Sequence, residues 1–370
     1  MSVGTTYLDW NATSPLRDEA IAAMQAALSH CGNPSSVHRA GRKARAMLET
    51  ARAQVAALIG ARPESIVFTS GGSEANVTAL AGFPARRLIV SAIEHDSVRV
   101  APNATVIPAK PDGTADLGTL DWMLAADPRP ALVSLMAANN ETGAIQDIAE
   151  ASRIAHRHGA LLHCDAVQAA GKIPFDFAAL GCDLVTLSAH KLGGPPGVGA
   201  LVVTPGIDIA PLIHGGGQER GRRAGTENLP GIVGFGAAAE AARNALEAYS
   251  RIAALRDLAE RRLLAIAPDA IIHATQTPRL ANTLCISMSG VAASTQIMAL
   301  DLAGVMVSAG SACSSGKVRR SHVLEAMGVD AATAESAIRI SLGWYTAESD
   351  IDHLVEAWGA LYARTRASAA

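Results

Sequence analysis

Between residues 65 and 203 the chain repeats one rhythm: a short apolar run, a break rich in Gly and Ser, then a stretch with helical spacing. The runs are SIVFT at 65, RLIVS at 87, ALVSLM at 131, ALLHC at 160, DLVTLS at 183 and GALVV at 199. They are nearly continuous in apolar residues, whereas a strand with one wet face alternates. Apolar strands separated by helices predict a mostly parallel sheet covered on both faces, an α/β fold. Around 230–265 the rhythm gives way to Ala-rich helix. Short strands then return at NTLCISM, VMVSAG and AIRISLG, before a closing helix from about Ala347. The chain is thus expected to form a large domain over residues 15–250. A smaller α+β domain would take residues 1–14 and 251–370. Ser14-Pro15 reads as a helix start, with Ser as cap and Pro in the first position. A longer helix is expected from about Gly41 to Ile59, stopped by Gly60, and the final RTRASAA as a frayed tail.

Composition limits what such a fold can serve. Of 370 residues 49% are hydrophobic and 18% charged, which allows a substantial core. A net charge of −3 gives no whole-chain electrostatic footprint for nucleic acid. Basic clusters at 39–45 and 220–223 are small enough to be solvated faces or anion contacts. Asp9, Arg17, Asp18 and Glu19 interrupt the N-terminal stretch, so no secretory signal is expected. No stretch reaches the roughly 20 apolar residues that span a bilayer, so no membrane role is expected. The five cysteines, at 31, 164, 182, 285 and 313, form no C-x-x-C pair, which points to reduced thiols in a cytoplasmic protein.

Ligands of open α/β sheets bind at the carboxyl ends of the strands, so the residues just after each run carry the functional information. After SIVFT comes Ser70-Gly71-Gly72-Ser73-Glu74-Ala75-Asn76, a small-residue turn into a helix whose N–H groups suit an anion. After RLIVS come Glu94 and His95, and after ALVSLM the polar stretch Asn139-Asn140-Glu141-Thr142-Gly143. After ALLHC comes Asp165, then Gln168; an acid there is either a helix cap or the partner of a cation. After DLVTLS come His190 and Lys191 and a Gly/Pro-rich stretch. A lysine desolvated beside other cations is a usable amine nucleophile, able to form a Schiff base. An anion cradle, an acid, an amine and an imidazole at successive strand ends are together what pyridoxal phosphate requires. A metal site built from His163, Cys164, Asp165 and His190 is the competitor, and no H-x₃-H or C-x₂-C spacing supports it. Far along the chain, Cys313 stands in SAGSACSSGKVRRS, among residues too small to bury a thiol and beside Lys317, Arg319 and Arg320.

These segments resemble one family over nearly the whole chain. YLDWNATSP, GNPSSVHRAGR, FTSGGSEANV, IEHDSV, ANNETG, HCDAVQ, SAHKLGGPPGVG, HGGGQERGRRAGTEN and GSACSSG are similar to the cysteine desulfurases of the NifS/IscS type. The resemblance implies a fold-type-I pyridoxal 5'-phosphate-dependent transferase, homodimeric, that takes sulfur from L-cysteine and leaves L-alanine. It implies that Lys191 forms the Schiff base, Asp165 pairs with the pyridine nitrogen, Gln168 bonds the ring hydroxyl, and His95 lies over the ring and moves protons. Gly72, Ser73, Ser188 and His190 would bind phosphate, with Thr226 reaching it from the partner subunit. Asn140 would sit beside the ring, Arg339 would hold the substrate carboxylate, and Cys313 would accept the sulfur as a persulfide. No resident metal is implied, though Cys313 could touch a cluster or metal during transfer to a sulfur acceptor or iron–sulfur scaffold. The small residues around Cys313 predict a mobile segment. Three positions depart from the family's habit: Trp10, Pro196 and Trp344. A selenocysteine lyase or another PLP-dependent, aminotransferase-like enzyme is the nearest alternative, and a catalytically silent assembly scaffold the more distant one.

Overall fold

The computed structural model describes residues 4–310 and 320–369; Cys313 and its basic neighbours Lys317 and Arg319 lie outside the described residues. The strands, in chain order, are β1 (Thr6–Tyr7), β2 (Ile66–Thr69), β3 (Arg87–Ser91), β4 (Thr105–Ile107), β5 (Ala131–Met136), β6 (Leu161–Asp165), β7 (Leu184–Ser188), β8 (Gly199–Val203), β9 (Ile271–Ile272), β10 (Thr283–Ser287), β11 (Val305–Met306), β12 (Ser308–Ala309) and β13 (Ala337–Ser341). Every apolar run of the 65–203 rhythm becomes a strand. They form a seven-stranded sheet of order β2-β8-β7-β6-β5-β3-β4. The strands β4, β3, β5, β6 and β7 are parallel, and β8 alone is reversed, antiparallel to both β7 and β2. β4, whose first two residues are exposed, carries too short a pattern to be read from sequence.

Apolar residues on both strand faces need cover on both sides. One face packs on a core that includes Leu48, Val55, Ile59, Phe68, Val133, Leu162 and Phe235. The other packs on Val67, Ala75, Leu132, Leu184 and Val203. The helix α1 (Asp18–Leu28) and the helix α2 (Arg39–Leu58) both lie against the helix Leu229–Asn244. Gly60, at φ +66, turns the chain after α2 in a conformation that side-chain-bearing residues rarely adopt.

A second core gathers Leu8 with Tyr249, Ile252, Leu284, Ile286, Ile340, Leu354 and Trp358 around the antiparallel sheet β12-β13-β10-β9. β1 joins it by pairing in parallel with β11.

Four local expectations need correction. The helix expected at Ser14-Pro15 begins at Asp18, because Ser14 is used elsewhere: its N–H donates to the His190 carbonyl and its Oγ to the Lys191 carbonyl. The Ala-rich stretch is two helices, Leu229–Asn244 and Tyr249–Ile266, separated by a 3-10 turn. VMVSAG is two short strands rather than one, broken at Val307. The RTRASAA tail is helical through Ala369. There Arg366 lies over the Tyr362 ring and pairs with Asp269, which also accepts from Tyr362 Oη. No helix among the described residues is long and apolar enough to cross a membrane.

Candidate active site

The carboxyl ends of β2, β3, β5, β6 and β7 open on one cavity of about 350 Å³. Its lining contains Gly72, Ser73, His95, Asn140, Asp165, Gln168, Ser188, His190, Lys191 and Arg339. Every described residue expected at the site is therefore here except Thr226, which lines a separate cavity of about 150 Å³ with Ser70, Glu219, Arg223 and Asn228.

β2 delivers the anion cradle. The helix α3 (Gly72–Ala81) starts directly after it, with Gly71 at its cap and no side chain capping it. The N-terminus of such a helix carries partial positive charge and outward N–H groups. Gly72 is required by close approach: a Cβ there would meet Val167 Cγ2 at 3.1 Å and Ser188 Cβ at 3.4 Å.

β6 ends in Asp165, 5% exposed. Its Oδ1 accepts from the Val167 N–H at 2.9 Å and its Oδ2 from Asn76 Nδ2 at 2.7 Å. Both donors are neutral, so this buried carboxyl on the cavity wall has no charged hydrogen-bond partner in those two contacts and suits a cationic group of a ligand. Asn76 also donates to Ser97 Oγ at 2.8 Å, and Ser97 Oγ lies 2.8 Å from His95 Nδ1. A line of hydrogen bonds thus runs from Asp165 to His95. His95 caps the short helix Asp96–Arg99 as well, its Nδ1 accepting from the Ser97 N–H. Glu94 beside it is wholly buried, and burial followed by the nearness of Asp165 pushes its carboxyl well above the usual range.

β7 ends in Ser188 and leads into a 3-10 turn that carries His190 and Lys191. Lys191 Nζ donates to the Asn11 carbonyl at 2.7 Å and the Ala12 carbonyl at 2.8 Å. Burial, then Lys191 and Lys172, push His190 down to about 4, so its imidazole is neutral at physiological pH.

Lys172 is buried and bonds two residues of the cavity lining: its Nζ donates to Asn11 Oδ1 at 2.9 Å and to Gln168 Oε1 at 2.6 Å. Burial, then Lys191 and Arg339, hold its amine well below the ordinary lysine range. By taking Gln168 Oε1, Lys172 fixes which end of that amide donates; Gln168 Nε2 bonds the Asn11 carbonyl at 2.9 Å. Asn11, Asn76, Ser97 and Lys172 are site residues that sequence reasoning missed. Asn11, in YLDWNATSP, Asn76, in FTSGGSEANV, and Ser97, in IEHDSV, all lie within segments that carry the resemblance. Lys172 had one signal, its i+4 spacing from Gln168.

Two of the unusual residues pack together. Trp10 and Trp344 meet edge to face with centroids 4.6 Å apart, and the Arg17 guanidinium lies 3.9 Å from the Trp344 ring. Arg17 Nε donates to the Leu192 carbonyl, so this cluster supports the turn that carries Lys191. His163, a candidate ligand only in the competing metal reading, is a core residue, its ring nitrogens 2.8 Å from Ser134 Oγ and 2.9 Å from Thr186 Oγ1.

Comparison with known proteins identifies the family. The aminotransferase class-V family model matches residues 6–354. A cysteine desulfurase of Cereibacter sphaeroides is 46% identical over 366 residues, covering 95% of this chain and 94% of its own. The solved structure of a NifS-like protein from Rickettsia africae superposes with a TM-score of 0.90 at 37% identity, over 97% of this chain and 99% of that one. A structure described as SspA in complex with cysteine matches at TM-score 0.80 and 30% identity, over 93% of this chain and 100% of that one. With its strand-end residues converging on one cavity and its likeness extending over nearly its full length, the chain belongs to the class-V aminotransferase family, among its cysteine desulfurases.

Proposed function

We propose that this enzyme takes sulfur from L-cysteine, leaves L-alanine, and holds the sulfur as a persulfide on Cys313 for an acceptor or iron–sulfur scaffold protein, with pyridoxal 5'-phosphate as resident cofactor. The observation that carries this reading is the cavity itself, where an amine, an uncompensated acid, a helix N-terminus and a guanidinium face one space. The residues fit the cofactor on chemical grounds. Asp165, bonded only to neutral donors, suits a protonated ring nitrogen. The N-terminus of α3 with Gly72, Ser73, Ser188 and His190 suits a phosphate. Gln168 would bond the ring hydroxyl, Asn140 would sit beside the ring, and Lys191 would hold the cofactor covalently. When bound, the cofactor supplies an electron sink for loss of the substrate's α-proton.

The chain's own groups supply the rest. Lys191 Nζ, freed once the substrate amine takes its place and steered by two backbone carbonyls, would take the α-proton as general base. His95, oriented through Ser97 and Asn76, would move protons at its imidazole. Arg339 would offer the bidentate fork that a carboxylate prefers. Sulfur transfer then balances without an outside oxidant. A bond forms between Cys313 Sγ and the substrate sulfur as the substrate Cβ–S bond breaks, and the electron pair and a proton end in the methyl group of alanine. Thr226, in its own cavity, would serve the partner subunit of a homodimer.

Visible absorption tests the cofactor assignment. Purified protein should be yellow, and Lys191→Ala should lose both the band and turnover on L-cysteine. A Lys191→Ala variant with unchanged turnover would contradict the reading.

A further inference from the structure

Arg339 lies on β13 opposite Ser308 of β12, with its side chain 2% exposed and lining the cavity. A guanidinium has five N–H donors in one plane. Here Nη1 donates to the Asn140 carbonyl at 3.1 Å and Nη2 to Asp9 Oδ1 at 2.7 Å, while the buried Nε has no partner. Asp9 is itself anchored twice: its Oδ2 accepts from Ser308 Oγ at 2.7 Å, and its backbone forms a bridge with Ser341. A buried donor left without a partner is costly in a folded protein, and one at a functional site points to a ligand.

The way Asp9 binds is informative. A carboxylate meeting an arginine prefers two parallel bonds, through Nε and a terminal nitrogen or through both terminal nitrogens. Asp9 makes one bond to one terminal nitrogen and turns its other oxygen to Ser308. It holds the guanidinium at one corner and leaves Nε open. With Asn140 at the other terminal nitrogen, the plane cannot turn.

We propose that Asp9 is a positioning residue for substrate recognition: together with Ser308 it fixes the Arg339 guanidinium so that Nε and the remaining Nη2 N–H present a fork to the substrate carboxylate. This rests on the reading that Arg339 holds that carboxylate, and deepens it. Asp9 does not stand in for the substrate, because a stand-in would occupy the fork.

The test uses the cofactor-loaded enzyme and two equilibrium ligands read by the shift of its visible band: L-alanine, and ethylamine, which is alanine without the carboxylate. Arg339→Ala serves as reference. Asp9→Ala should weaken L-alanine about tenfold, the loss of one charge-assisted bond's orienting effect, and leave ethylamine within about twofold. Asp9→Asn, which keeps the shape, should lie between wild type and Asp9→Ala, and provides the reading if the alanine variant does not fold. Ser308→Ala should weaken L-alanine about threefold without affecting ethylamine. With L-cysteine, KM should rise in Asp9→Ala more than kcat falls. Equal weakening of both ligands would make Asp9 merely structural, and unchanged or tighter L-alanine binding would also overturn the proposal. Failure of the underlying reading looks different: Arg339→Ala would then bind L-alanine as wild type does.

Discussion

Replacing Glu219 by Gln should destabilise the protein by an amount the structure lets us bound. The Glu219 carboxylate is 2% exposed and accepts three bonds: Arg52 Nη1 at 2.7 Å, Arg52 Nη2 at 2.8 Å and the Phe68 N–H at 2.8 Å. Arg52 is as deeply placed, 4% exposed, with its guanidinium 4.8 Å from the Phe68 ring. Burial works against its charge, and the hydrogen bonds and charges of Glu219 and then Glu49 together more than offset that, raising its pKa above the ordinary value. An amide cannot accept both arginine nitrogens, so Glu219→Gln leaves a buried charge poorly matched, a loss of about 3–5 kcal/mol. Part of this is recovered. Glu219 and Arg220 have φ of 45° and 59°, left-handed values that cost about 1–2 kcal/mol per residue, and a loosened turn can relax them. Glu49 also stays on Arg52 Nε. A net loss of about 1–3 kcal/mol remains, read from urea unfolding of the cofactor-loaded protein. Removing the charge as well, in Arg52→Met/Glu219→Gln, should cost less than the two single changes added together, with a coupling of about 2 kcal/mol. Additive losses, or a Glu219→Gln protein within about 0.5 kcal/mol of wild type, would refute the claim that this pair holds the turn.

His163 should make stability depend on pH. Burial lowers it to about 4 against an ordinary 6.5, so below about 6.5 the unfolded chain gains a proton that the folded one refuses, and stability falls toward pH 4. Glu94, whose carboxyl burial raises, has the opposite sign, so the comparison is with His163→Gln: the stability advantage of wild type should shrink by about 2 kcal/mol from pH 7 to pH 5. An advantage that stays constant across that range would contradict this. The chain should also sediment as a dimer at assay concentration, and Thr226→Ala should stay dimeric yet hold the cofactor phosphate less tightly; a fully active monomer would refute the shared site.

The large sheet was legible because its strands are buried on both faces, and six apolar runs leave few other folds. The strand-end residues were legible for the same reason: once β6 and β7 are parallel neighbours, Asp165 and Lys191 must open on one side. The supporting residues were not. Asp9 meets Arg339 across 330 positions and Lys172 meets Asn11 across 161, and no local pattern reports such pairings. Ser14-Pro15 misled for a related reason. The hydroxyl that could cap a helix is bonded to the turn after β7 instead, a tertiary contact that overrides local preference. β4 was missed because two strand residues facing solvent leave no apolar run.

Mass spectrometry after a brief pulse of L-cysteine tests the central claim most directly. Cys164, Cys182 and Cys285 are buried, and burial raises the thiol pKa of Cys164 and Cys285, so none of the three can serve as a reactive acceptor. Cys31 is exposed and is the internal competitor. The account predicts one added sulfur atom on Cys313, formed with L-alanine and abolished in Cys313→Ser, which should keep its yellow cofactor. Added sulfur on Cys31, or on a buried cysteine, with Cys313 unmodified would contradict it.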